Sequence, residues 1–162
     1  MTSHSFTFDK NKTLQALRYH FISRKEIKIM IVLVNVFAIG SAVLFFFKMV
    51  SPFAFLASSI LWFALMIAFW YLLPRMVYRR ASTFKEKLKV YFGSQSLTIE
   101  NDRGDQSWEW SKFSSWMESP HFFHLYFNPR SFFIIPKSAF DEPDVPEARK
   151  ILKAMIVGKK NA

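Results

Sequence analysis

A chain of 162 residues has room for one ordinary domain, or for a membrane segment and a small domain. About half of it is hydrophobic, Phe occurs 20 times, and cysteine is absent, which excludes disulfides, cysteine-based zinc sites and thiol nucleophiles. The formal charge of +10 is confined to residues 1–28, with six Lys or Arg against two acids, to 74–90, with six against one, and to Lys48, while 91–162 carries nine of each sign. Basic groups that flank apolar segments suit anionic lipid headgroups and argue against nucleic acid as the partner.

The chain begins with SFTFD, where Phe6 and Phe8 alternate as in a strand too short to stand alone. Leu14, Leu17 and Phe21 then recur at helical spacing, which predicts an amphipathic juxtamembrane helix within residues 1–28, over 11–28 and running into the first long apolar segment. Whether this helix lies on the membrane or on a downstream domain is open at this point.

From Ile29 to Phe47 there are 19 uncharged residues, and from Met49 to Leu73 another 25. A helix needs roughly 20 residues to cross the hydrocarbon core, and in lipid the backbone must satisfy itself internally. Residues 29–73 are therefore expected to form a transmembrane hairpin, with helices over 29–47 and 52–73 and a turn at KMVSP. Basic residues, Arg18 among them, stand before the first span and others after the second, with Lys48 alone between, so both termini are expected to be cytoplasmic. Arg24, Lys25, Lys28, Arg75, Arg79 and Arg80 are the candidate headgroup contacts. The spans contain no Asp, Glu, His, Lys or Arg, hence no candidate proton relay, ion ligand or charge pair. Asn35 and Gly40 are the candidates for a helix–helix contact, although Asn35 can equally bond its own backbone.

Residues 74–83 read as a basic linker, and 84–162 as a water-soluble domain of small antiparallel strands. In FKEKLKVYF, Phe84, Leu88, Val90 and Phe92 alternate with lysines. SLTIEN follows as a second strand, DRGDQ as a turn, and SWEWSKF places Trp108 and Trp110 on one strand face with Glu109 opposite. HFFHLYFNPRSFFIIPK reads as a hairpin around NPRS. Each arm is too short to cross a bilayer, and both faces of the first arm are apolar, one with Phe123, Leu125 and Phe127 and the other with Phe122, His124 and Tyr126. A terminal helix over 145–157 is predicted from a capping box at Asp144 and Glu147, an apolar stripe through Val145, Ala148, Ile151, Leu152, Met155 and Ile156, and a stop at Gly158.

A membrane hairpin followed by Ser107, Trp108, Trp110 and Phe113, and then by Phe133, Ile134, Ile135, Pro136, Lys137 and Phe140, resembles the YcxB-like family of small bacterial inner-membrane proteins. The resemblance implies an α+β membrane protein whose cytoplasmic sheet domain is pleckstrin-homology-like, a bent sheet closed by a C-terminal helix. It implies location in the bacterial inner membrane and carries no enzymatic activity.

No catalytic constellation is found. Glycine-rich phosphate loops are lacking, His121 and His124 point to opposite faces if they lie on a strand, and the acids between Asp141 and Glu147 have no calcium-loop spacing. The expectation is a non-enzyme with no cofactor, no metal and no small-molecule substrate. Its partners are expected to be the lipid bilayer and a further copy of itself or a larger membrane protein, such as a transporter for which it is an accessory subunit; sensing of anionic lipid is the alternative. Aromatic residues anchor protein interfaces, so Trp108, Trp110, Trp116, Phe122, Tyr126, Phe133 and Lys137 are the candidate interface.

Overall fold

The computed structural model describes residues 1–156; Val157 and Gly158, the expected end and stop of the last helix, lie outside the described residues. The chain divides into two compact units, Leu17–Arg80 and Met1–Ala16 together with the chain from Ala81 onward.

In the first unit a helix α1 (Lys10–Ser23), which begins in the other unit, ends before Arg24. The expected helix running straight into the first span is therefore broken. Arg24 is extended, with φ −75° and ψ 130°, and serves as the N-cap of α2 (Lys25–Phe46). The hairpin turn falls where expected. Lys48 takes the left-handed conformation at φ 57°, Ser51 Oγ accepts from Ala54 N at 3.3 Å, and Pro52 opens α3 (Pro52–Ile67) in the first turn, where it forfeits no intrahelical bond.

α3 does not stop at Leu73. It passes through a π-helical turn at Ala68–Leu72 into α4 (Leu73–Arg80), so the expected basic linker is helical as far as Arg80. Pro74 has no N–H to donate four residues back, and the wider turn preceding it, in which Leu73 N–H reaches Ala68 O, lets the helix continue past the missing bond. The two long helices run antiparallel. Phe45 stacks on Phe55 at 4.5 Å, and Ser41 and Ser58 share a hydrogen bond of 2.7 Å.

The second unit holds β1 (Lys89–Phe92), β2 (Ser96–Asn101) and β3 (Gly104–Glu109) in one antiparallel sheet of that order. A second antiparallel sheet holds β4 (Ser115–Glu118), β5 (Phe122–Asn128) and β6 (Ser131–Pro136), also in chain order. The expected first strand is shorter than the lysine alternation suggests, because Phe84 sits in a 3₁₀ turn (Ser82–Lys85) before the pairing begins. Tight backbone contacts fix the turns. A Cβ on Gly93 would meet Ser96 O at 2.9 Å, and Gly104 holds φ 137°. Asn128 Oδ1 accepts from the backbone N–H of Arg130 and Ser131, which closes the NPRS turn.

Phe122, Phe123, Leu125, Ile134 and Ile135 are all buried on β5 and β6. At roughly 1.5–3 kcal/mol for each fully buried side chain, this aromatic hairpin is a substantial part of the unit's hydrophobic stabilisation. The N-terminal segment joins the same unit. Residues 1–6 run antiparallel to β1, with Ser3 N donating to Val90 O and Phe6 and Leu88 exchanging both backbone bonds. Phe8 stacks over Phe122 at 6.5 Å and meets Phe84 edge-on, so part of the Phe122 face is covered by the chain's own beginning. The last helix, α5 (Asp144–Met155), buries Ala148 and Leu152, while Met155 is exposed. The expected capping box is not formed: Pro143 occupies the N-cap and makes no side-chain bond, leaving Asp144 and Glu147 as acids in the first turn.

Candidate interaction and membrane-facing surfaces

Exposed apolar surface is concentrated on the hairpin. Of the 26 large hydrophobic residues exposed among the described residues, 23 lie between Ile29 and Met76, and Phe46 and Phe53 are each 80 % exposed. Two helices, Lys25–Phe46 and Pro52–Arg80, are long and apolar enough to cross a membrane, and neither has a buried residue in its most apolar window.

The seam between the helices carries the few polar groups. Asn35 donates to Ile31 O, its own backbone, at 2.8 Å, and nothing lies within 4 Å of a Cβ placed on Gly40. A hydrogen bond across the hairpin is made by Ser41 and Ser58. A partly open cavity of about 310 Å³ runs beside them, lined by Asn35, Ser59 and Trp62 among apolar neighbours. The Trp62 indole N–H in this seam is shielded from solvent and has no hydrogen-bond partner among the described residues.

Basic side chains gather at the opposite end from the turn. Lys25, Lys28, Arg75, Arg79 and Arg80 are exposed and form no ion pair among the described residues, while Arg24 lies 3.7 Å from Glu26. Arg18, which the sequence marks only as one basic residue among several, is the best-placed of them. Its Nε donates to Trp70 O at 3.1 Å, the carbonyl that Pro74 cannot serve, and its guanidinium lies over the rings of Trp70 and Tyr71 at 5.3 and 5.6 Å. In α1, burial and then Arg24 pull the His20 pKa down to about 4.

The aromatic candidates in the sheet unit separate into two groups. Trp110, Phe122 and Tyr126 are core residues. Trp110 leaves the strand for a 3₁₀ turn, where its indole N–H donates to Gly93 O at 3.1 Å and its ring meets Phe92 and Phe113. Its pairing with Trp108 on one strand face is thus not realised, because β3 ends at Glu109. Trp108, Trp116 and Phe133 are half-buried. Trp108 and Phe133 line a crevice of about 380 Å³ between β3 and β6, one wall of which is polar, with Arg103 and Asn101 both held on Glu86. β3 is an edge strand and is exposed along nearly all its length.

Lys137 belongs to a charge cluster. Glu118 on β4 accepts two bonds of 2.8 Å from Arg149 on α5 and lies 2.6 Å from Lys137 Nζ, just past β6. The Arg149 bonds are the largest influence, and they hold the Glu118 pKa down to about 2. The cluster ties three elements together. Of the histidines, His124 is wholly buried on β5, where its Nε2 shares a bond of 2.9 Å with Ser119 Oγ, whereas His121 is exposed. Among the described residues no group of three or more His, Cys, Asp or Glu gathers as a metal site.

Residues 92–152 match the YcxB-like protein family, a span that takes in both sheets and most of α5 and none of the apolar helices. Nothing among curated proteins or solved structures matches the chain. The resemblance is thus supported for the sheet unit, and the hairpin stands outside the matched span.

Proposed function

We propose that the protein is a non-enzymatic, membrane-anchored interaction module of the bacterial inner membrane. α2 and the α3–α4 helix cross the bilayer, both termini face the cytoplasm, and the sheet unit is presented at the inner leaflet to a further copy or to a larger membrane protein. The observation that carries the reading is the concentration of exposed large hydrophobics on the hairpin. Monomeric soluble proteins rarely expose contiguous apolar patches beyond a few hundred Å², and two such helices side by side need lipid around them.

The exposed β3 edge and the Trp108 crevice support the interaction half of the proposal, since an unpaired strand edge offers backbone donors and acceptors to a partner. The unpartnered Trp62 N–H in the hairpin seam would gain most from an acceptor on a neighbouring helix. After extraction in mild detergent, light scattering should give a particle mass exceeding that of one chain, as an oligomer or a stoichiometric complex. Trp108→Asp should return the particle to one chain while leaving it in the membrane fraction. A wild-type particle that is strictly monomeric and unaccompanied would defeat the interaction reading.

A further inference from the structure

The geometry points to a phospholipid site at the cytoplasmic end of the hairpin, where a segment of one acyl chain of an anionic phospholipid lies in an apolar pocket and its phosphodiester meets Arg18. The inference rests on the reading of the two long helices as membrane-spanning and adds to it a specific ligand.

The pocket, about 180 Å³, is lined by Phe21 and Ile22 of α1, Ile27 and Ile31 of α2, and Phe69 and Leu73 at the π-helical turn, with Arg18 as its only charged lining residue. Its wall is almost wholly apolar, which suits hydrocarbon and not a hydrated anion. Its place follows from the chain. Ile27 and Ile31 stand just after Lys25 and next to Lys28, and Phe69 and Leu73 just before Arg75, so in a bilayer the pocket sits where acyl chains meet headgroups.

Arg18 is held there by a chain of local causes. Pro74 withholds its N–H from Trp70 O, that carbonyl takes Arg18 Nε, and the Trp70 and Tyr71 rings support the guanidinium plane. Only Nε has a hydrogen-bond partner among the described residues, and no carboxylate pairs with the guanidinium, so both Nη groups can donate to a phosphate. Charge complementarity selects an anionic lipid. Within Leu17–Arg80, Arg18, Arg24, Lys25, Lys28, Arg75, Arg79 and Arg80 face a single acid, Glu26, with Lys48 at the far turn.

The full-length protein in detergent should bind phosphatidylglycerol about fivefold more tightly than phosphatidylcholine, the preference expected from one basic group at the surface. Melting-temperature titration reads this, with inorganic phosphate at equal concentration as the control for a free anion. Arg18→Gln should abolish the preference. Ile31→Phe, which fills the pocket without touching a charge, should weaken binding of both lipids. Lys48→Gln, at the far turn and outside the basic cluster, should retain the preference. Equal affinity for the two lipids, an equal response to phosphate, or loss in the Lys48 variant as large as in Arg18→Gln would each overturn the site. Recovery of the chain in the soluble fraction of cells would instead defeat membrane anchoring itself, a separate outcome read before any lipid is added.

Discussion

Glu118 illustrates how a residue with little voice in the sequence can organise a fold. By sequence it is one carboxylate in a neutral domain, yet it receives Arg149 through two bonds and Lys137 through a third. Glu118→Gln should lower stability by about 1.5–3 kcal/mol, the range for hydrogen bonds to charged groups, read as a drop in melting temperature. The pH dependence has a definite sign. Because the folded-state pKa of Glu118 is depressed from 4.5 to about 2, its contribution is present above pH 4.5 and is lost as pH falls toward 2. His20 also has a depressed pKa, from 6.5 to about 4, so the neutral form is the one the fold accommodates, and stability declines as pH drops through that higher window. Glu118→Gln should therefore remove the lower decline and leave the upper one; a variant with an unchanged acid profile would contradict the assignment. Trp110 shows the limit of residue-level reading. Its alternation with Trp108 is visible in the sequence, but the turn that buries it is not, because the deciding bond runs to Gly93 O on another turn.

At the scale of elements, local pattern controls the legible part. Two uncharged runs, a proline-capped turn and an aromatic hairpin around NPRS all stand where their composition and spacing put them. The illegible part depends on partners distant in sequence. Phe6 and Phe8 signal a strand, but not that the first residues pair alongside β1 more than 80 positions later, a distance set by the register of Phe6 on Leu88 and Thr2 on Tyr91 rather than by local pattern. The single bent sheet expected from the family resemblance is two three-stranded sheets, because the 3₁₀ turn at Trp110–Lys112 interrupts the ladder. The expected second span ends at Leu73, before a basic linker, and the π-helical turn preceding Pro74 explains why the helix goes on. Deleting residues 1–8 should expose the β1 edge and uncover Phe84 and Phe122, lowering the melting temperature and raising the tendency to aggregate. Unchanged melting and solubility would show that the pairing contributes nothing.

At the scale of the whole molecule, charge and apolarity divide the labour. The sheet unit closes its own core, carries the family match and has near-balanced charge, whereas the hairpin carries the exposed apolar surface and a basic end. The candidate site is legible in part. The basic cluster and Trp108 can be named from the sequence, but the role of Arg18 requires seeing which carbonyl Pro74 leaves to it. The chain's lack of cysteine gives the most direct test, because single cysteines can report on each side of the membrane. Met49→Cys in the hairpin turn, Asn11→Cys in α1 and Lys150→Cys in α5 all place the thiol at exposed positions. With an impermeant maleimide on intact spheroplasts, Met49→Cys alone should label, and the other two should label only after the membrane is opened. Labelling of Asn11→Cys or Lys150→Cys in intact spheroplasts would contradict the proposed anchoring and its orientation.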